Sequence, residues 1–210
     1  MMPLSTRASP PSDPGSVPPS AALVAQARQG DDRALEMLFG SYYEQVSLYL
    51  IRLVGDDEVG YELTQETFLK AWQALPGLRE EARFVGWLYR IATNLARDHQ
   101  RRARLIRWLP WDQYQQREQA QPTGRAGPET QVEEAELLKQ ALAQVALTYR
   151  ACLVLYIVED LPQPAIAERL GIKPSSVSNY VSRGLAELRR AYLRLAAERP
   201  SSDTGDVSHE

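Results

Sequence analysis

The chain has 210 residues, a formal net charge of −3 and 44% hydrophobic residues. No apolar run approaches the ~20 residues of a membrane-spanning helix, and one cysteine, Cys152, leaves no disulfide framework to build. With His99 and His209 the only histidines and no cluster at ligand spacing, no metal site or cofactor is expected. No nucleophile–base pair or phosphate loop signals an enzyme, and without a secretory signal the expected location is cytoplasmic.

A small negative sum does not exclude nucleic acid, because it hides local fields. Between Arg97 and Arg107 five arginines face the single acid Asp98, whereas Asp56 to Glu66 and the stretch Asp112 to Glu136 are acidic. Charge is therefore segregated by segment.

Residues 1–19 hold six prolines among Ser, Thr and Gly, and read as a disordered tail with too few large apolar side chains to offset its ordering entropy. Ser20 then suits the cap of a short helix ending near Gly30, and Asp31 caps the next. In that second helix Leu35, Leu38, Phe39, Tyr42, Val46, Tyr49, Leu50 and Leu53 recur at three- and four-residue intervals, until Gly55 ends it. A third helix begins at Asp56 or Asp57, with acids favoured by the helix dipole, and stops before Pro76-Gly77. Gly60 lies inside it, where glycine costs about 1 kcal/mol relative to alanine, so a frayed turn is expected. A fourth runs from about Glu81 through Phe84, Trp87, Leu88, Ile91 and Leu95 into the arginine run, with Trp87 and Leu88 read as core.

The polar segment 108–130 reads as a flexible linker, interrupted by Pro122, Gly124, Gly127 and Pro128. Trp108, Leu109, Pro110 and Trp111 at its start are too apolar to stay exposed, and are expected to pack on the first domain or on a partner. Beyond it a helix carries Leu137, Leu138, Leu142 and Val145, and Thr148 is expected to cap a helix from Tyr149 to about Glu159 that buries Cys152. Pro162 and Pro164 suit the first turn of the following helix.

Within Leu161 to Arg190, the small Ala167, the turn glycine Gly171 and the apolar Val177 have the spacing of a helix-turn-helix. Ser175 is expected to cap its second helix, with Val177, Val181, Leu185 and Leu188 facing inward. Ser178, Asn179, Ser182, Arg183, Arg189 and Arg190 face outward. Residues 198–210 read as a second disordered tail. No segment alternates like a strand, so the fold class is all-α: two small helical domains joined by a flexible linker.

LTQETFLKAW from Leu63, FVGWLYRIATNLARDHQRR from Phe84 and the helix-turn-helix stretch occur in the order seen in the extracytoplasmic function sigma factors of the primary sigma superfamily, and the chain resembles that family over about Leu23 to Leu195. The resemblance implies a region 2 domain over residues 20–107, a region 4 domain over 131–197, and partnership with bacterial core RNA polymerase, promoter DNA and an anti-sigma factor, without membrane insertion. It assigns Glu62, Leu63, Gln65, Glu66 and Phe68 to polymerase docking, although Phe68 also reads as a core residue. It assigns Asn94, Arg97, Asp98, Arg101 and Arg102 to the −10 element, with Thr93 in place of a common arginine and so one phosphate contact fewer. The loop PGLREEA from Pro76 corresponds to the family's pocket for a flipped base, yet carries no aromatic residue. Lys173, Ser175, Ser176, Ser178, Asn179, Ser182 and Arg183 fall to the −35 element, with Arg189 and Arg190 near phosphates. A stand-alone helix-turn-helix regulator with an N-terminal sensor or dimerisation bundle is the alternative, but it leaves the TQETF helix and the arginine run without a role.

Overall fold

A computed structural model of the chain describes residues 21–108 and 129–198. These form eight α-helices and no strand among the described residues: α1 Ala21–Arg28, α2 Asp32–Val54, α3 Asp57–Ala74, α4 Phe84–Trp108, α5 Glu129–Gln144, α6 Leu147–Leu153, α7 Gln163–Leu170 and α8 Pro174–Ala197. Ser20, both tails and most of the linker, including Leu109, Pro110 and Trp111, lie outside the described residues.

The helix ends follow the side-chain chemistry. Asp31 Oδ1 accepts from the Ala34 N–H and Asp56 Oδ1 from the Val59 N–H, each at 3.0 Å, satisfying donors that a helix start leaves without partners. Gly55 and Gly171 close α2 and α7 in the left-handed region at φ 79° and 64°. α2 buries Leu38, Tyr42, Val46, Tyr49, Leu50 and Leu53, while Leu35 and Phe39 pack at the margin.

Gly60 does not mark a frayed turn. It is buried where α3 crosses α2, and a Cβ there would stand 2.5 Å from Ile51 Cγ1 and 2.7 Å from Ile51 Cα. The absent side chain is what lets the two backbones approach.

In the second unit, α6 begins at Leu147, one residue before the expected cap Thr148, and Ala146 precedes it without a capping side chain. Glu187 of α8 supplies the acceptor instead, taking the Ala146 N–H at 3.0 Å. The expected helix to Glu159 relaxes after Leu153 into a π-helical turn, Val154–Val158. α8 starts at Pro174 after Lys173, so Ser175 sits in the first turn and is not its cap. The inward face of α8 is also displaced from expectation: Leu185 is 45% exposed, and the buried positions are Val177, Val181, Gly184 and Ala191. Gly184 explains the phase, because a Cβ there would meet Leu153 Cγ at 2.9 Å and α6 therefore crosses α8 at this point.

The two units share one apolar core. α7 packs on α4, and α6 with the π turn packs on α2; Leu53, Tyr89, Cys152, Leu155 and Ile166 belong to one buried cluster. Arg150, 3% exposed, joins them: Nη1 donates to the Leu53 carbonyl at 2.8 Å, and Nη2 to the carbonyls of Val145, at 2.9 Å, and Ala143.

Candidate nucleic-acid and polymerase interfaces

On α3 the five residues assigned to polymerase docking divide by burial. Glu62 and Gln65 are exposed and Glu66, half-buried, pairs with Lys70 at 3.0 Å. Leu63 and Phe68 are buried, and Phe68 packs between Phe39 and Tyr43 with ring centroids 5.1 and 5.5 Å away. These two hold the helix from within and offer no contact surface. Two residues missed by sequence reasoning lie on the exposed face instead: Leu69 and Trp72 are 52% and 56% exposed. Glu62, Gln65, Leu69 and Trp72 recur at three- and four-residue intervals, the spacing of one helix face, so the signal was present in the sequence. Tyr43 and Met37 of α2 add to the exposed apolar surface of this bundle.

α4 presents its own polar face. Asn94 is exposed and its Oδ1 accepts from Arg97 Nη1 at 2.9 Å; Asp98 pairs with Arg101 at 3.1 Å, and Arg102 is exposed. Between α3 and α4 lies a groove of about 530 Å³, lined by Lys70, Gln73, Trp87, Ile91, Asn94 and Asp98. Trp87, expected in the core, is half-buried at its wall, whereas Leu88 is fully buried. Thr93 faces the other way. It is buried, donates to the Tyr89 carbonyl at 2.7 Å and lies 2.8 Å from Tyr49 Oη, so the side chain at position 93 looks into the core.

The loop between α3 and α4 is two short 3₁₀ turns, Leu75–Gly77 and Glu81–Arg83. Its acids are engaged within the chain: Glu81 pairs with Arg28 at 2.6 Å and Glu80 with Arg83 at 2.7 Å. Leu78 is buried and its carbonyl accepts from Arg28. The loop therefore braces α1 against α4, and the aromatic residue in the groove lining is Trp87.

In the helix-turn-helix, α7 is the supporting helix and α8 the exposed one. Lys173, Ser175, Ser178, Asn179, Ser182 and Arg183 are exposed, and Ser176 is half-buried. Arg183 Nη1 donates to Tyr149 Oη at 3.2 Å, and Tyr149 packs on Tyr180, which holds this face beside α6. Ala167 and Val177 are buried at the α7–α8 junction, as the helix-turn-helix spacing requires. The buried Cys152 thiol is pushed up to about 12 by loss of hydration, which makes it a structural group and a poor nucleophile.

A mixed groove beside a cationic helix end, an exposed polar helix on a helix-turn-helix, and an acidic and apolar helix stripe are together suited to DNA contact and to docking on a protein. Residues 38–106 match the family Sigma-70 region 2, and residues 135–188 the family Sigma-70, region 4. The chain is 31% identical over 172 residues to RNA polymerase sigma factor CarQ of Myxococcus xanthus, covering 81% of this chain and 96% of that one. It is 38% identical over 77 residues to the RNA polymerase sigma-H factor of Pseudomonas aeruginosa, a match spanning 37% of this chain and only 40% of that relative. Among solved structures, CnrH, determined in complex with the cytosolic domain of CnrY, shares the fold with a TM-score of 0.60 at 24% identity, over 86% of this chain and 99% of that chain. No helix among the described residues is long and apolar enough to cross a membrane. With both sigma regions present in order, and with 30% identity over 192 residues to ECF RNA polymerase sigma factor SigE of Mycolicibacterium smegmatis, covering 88% of this chain and 72% of that one, the chain belongs to the extracytoplasmic function sigma factors.

Proposed function

We propose that this chain directs core RNA polymerase to promoters, reading the −10 element with the α4 end of the first unit and the −35 element with α8. The observation that carries this reading is the presence, in one chain, of two separate exposed polar helix faces, each within a matched sigma region. The proposed docking surface for core polymerase is the α3 stripe of Glu62, Gln65, Glu66, Leu69 and Trp72. The −10 contacts are Asn94, Arg97, Asp98, Arg101 and Arg102, with Trp87 the nearest aromatic for stacking. The −35 contacts are Lys173, Ser175, Ser176, Ser178, Asn179, Ser182 and Arg183, with Arg189 and Arg190 near phosphates. The chain is read as a cytoplasmic initiation factor, not an enzyme, and an anti-sigma factor is a proposed restraint.

Energetics assign the factor a subunit's role. Opening about a dozen base pairs costs roughly 17 kcal/mol at a mean of ~1.4 kcal/mol per stacked step. Stacking one or two flipped bases returns only ~1 to 3 kcal/mol each. The factor selects the site, and polymerase must hold the separated strands. Run-off transcription with purified core enzyme on a promoter library, with and without this chain, tests the proposal. New start sites that depend on the chain are expected; an unchanged initiation pattern, or operator binding without polymerase, refutes it.

A further inference from the structure

The start of α6 acts on two charged residues of α8 at once. Glu187 Oε2 accepts the Ala146 N–H at 3.0 Å, and Arg183 Nη1 donates to Tyr149 Oη at 3.2 Å. Arg183 and Glu187 stand four residues apart on one helix, the spacing at which opposite charges pair, yet among the described residues each bonds to the α6 start and not to the other. Tyr149 itself is seated by three features of α8. Its ring packs on Tyr180 with centroids 5.4 Å apart, and its hydroxyl meets Arg183. Gly184 leaves room for it, because a Cβ there would stand 3.3 Å from Tyr149 Cβ as well as 2.9 Å from Leu153 Cγ. Tyr149 and Tyr180 are half-buried, whereas Arg183 is exposed.

An arginine carries its N–H donors in a planar fork. In Arg183 the phenol engages Nη1, while Nε and Nη2, which share one edge of the fork, make no hydrogen bond among the described residues. Two parallel donors on one edge match the O6 and N7 acceptors of guanine in the major groove. A phosphate accepts from any side and can be met by a swinging side chain, but the two acceptors of a base edge are fixed in direction, so it is there that prior orientation of the guanidinium matters. Holding the side chain in place beforehand removes part of the rotamer freedom that binding would otherwise cost. It also denies the edge to Glu187, which the Ala146 N–H keeps at α6. Arg183 lies one turn beyond Asn179, about 6 Å along α8 and nearly two base-pair steps at ~3.4 Å each, so the two side chains are expected to meet different base pairs.

We infer that Tyr149 is a positioning residue for the upstream promoter element: its hydroxyl holds the Arg183 guanidinium by one nitrogen, leaves the Nε–Nη2 edge free, and so sets how strictly the base pair that Arg183 reaches is selected. Tyr149 acts through Arg183 and needs no contact with DNA. The Tyr149–Arg183 bond is a property of the free chain; its consequence for promoters rests on the reading of α8 as the −35 helix.

Tyr149→Phe removes one oxygen atom and keeps the ring on Tyr180, and two measurements on the full chain read its effect. In the free chain, nitrogen relaxation of the Arg183 Nε–H reports the mobility of the side chain. It is expected to be ordered in the parent and, in Tyr149→Phe, as mobile as the exposed Arg189. With core polymerase added, run-off transcription from a library randomised in the upstream element gives base preference position by position. Arg183→Ala is expected to erase the preference at one position, and Tyr149→Phe to weaken it there by about 3- to 10-fold. The position altered by Asn179→Ala, the −10 preference and the thermal unfolding midpoint are expected to stay as in the parent. Equal Arg183 mobility in parent and Tyr149→Phe overturns the inference. So does a Tyr149→Phe variant with the parent's preference, and so does a loss falling equally on every upstream sequence, which would assign Arg183 to a phosphate or Tyr149 to general support. If no polymerase-dependent start site appears with the parent chain, the sigma-factor reading fails, while an Arg183 ordered only where Tyr149 keeps its hydroxyl still supports the bond that positions it.

Discussion

Gly60→Ala puts two opposing effects on one residue. Helix propensity favours the substitution by about 1 kcal/mol, because alanine restricts the unfolded chain and suits a helix interior. The structure opposes it. The new methyl carbon would lie 2.5 Å from Ile51 Cγ1, 2.7 Å from Ile51 Cα and 2.9 Å from Ile51 N. The first of these can rotate aside, but the other two are backbone, so α2 and α3 must separate by several tenths of an ångström or more. Overpacking of this kind costs ~1 to 3 kcal/mol, and more when backbone must move. With the cost taken at its upper end, about 2 to 3 kcal/mol, because two of the three clashing atoms are backbone, the expected net effect is destabilisation by about 1 to 2 kcal/mol, or a fall in Tm of roughly 2 to 8 °C for a chain of this size. Thermal unfolding followed by circular dichroism at neutral pH measures it. A Tm unchanged or raised would show that propensity governs the site and that the close crossing of α2 and α3 is not maintained in solution.

Other outcomes follow from the same structure. Replacing Arg150 by Met removes the guanidinium that serves the carbonyls of Leu53, Val145 and Ala143, and leaves buried acceptors without a donor, at about 2 to 4 kcal/mol by chemical denaturation. Arg101→Ala with Arg102→Ala should weaken promoter opening and lower the slope of log affinity against log salt by about 1.8, if each contacts one phosphate; an unchanged slope removes both from the interface. Asn179→Ala should alter upstream sequence preference in a promoter library while leaving the −10 preference as it is. Above pH 9 the fold should lose stability. The Cys152 thiol is raised from 9.0 to about 12 and the Tyr49 and Tyr89 hydroxyls are also raised, chiefly by burial. A group raised on folding contributes fully below its unfolded value and loses that contribution as pH climbs toward its folded one. For Cys152 the loss is at most about 1.4 kcal/mol per pH unit, and a Tm that stays flat from pH 8 to 11 contradicts it.

What was legible in the sequence was governed by neighbours in the chain. Asp31, Asp56, Gly55 and Gly171 act within four residues of themselves, and each ends or starts a helix as read. The phase of α2 and the helix-turn-helix spacing were legible for the same reason. The misreadings lie where a distant helix decides the outcome. Gly60 is set by Ile51 across the α2–α3 crossing, the inward face of α8 by Leu153 against Gly184, and the start of α6 by Glu187 from another helix. Thr93 read as a lost phosphate contact because a family pattern does not say which face of a helix is buried; the hydrogen bonds to Tyr49 and Tyr89 do. Phe68 read both as core and as interface, and burial between Phe39 and Tyr43 decides for the core.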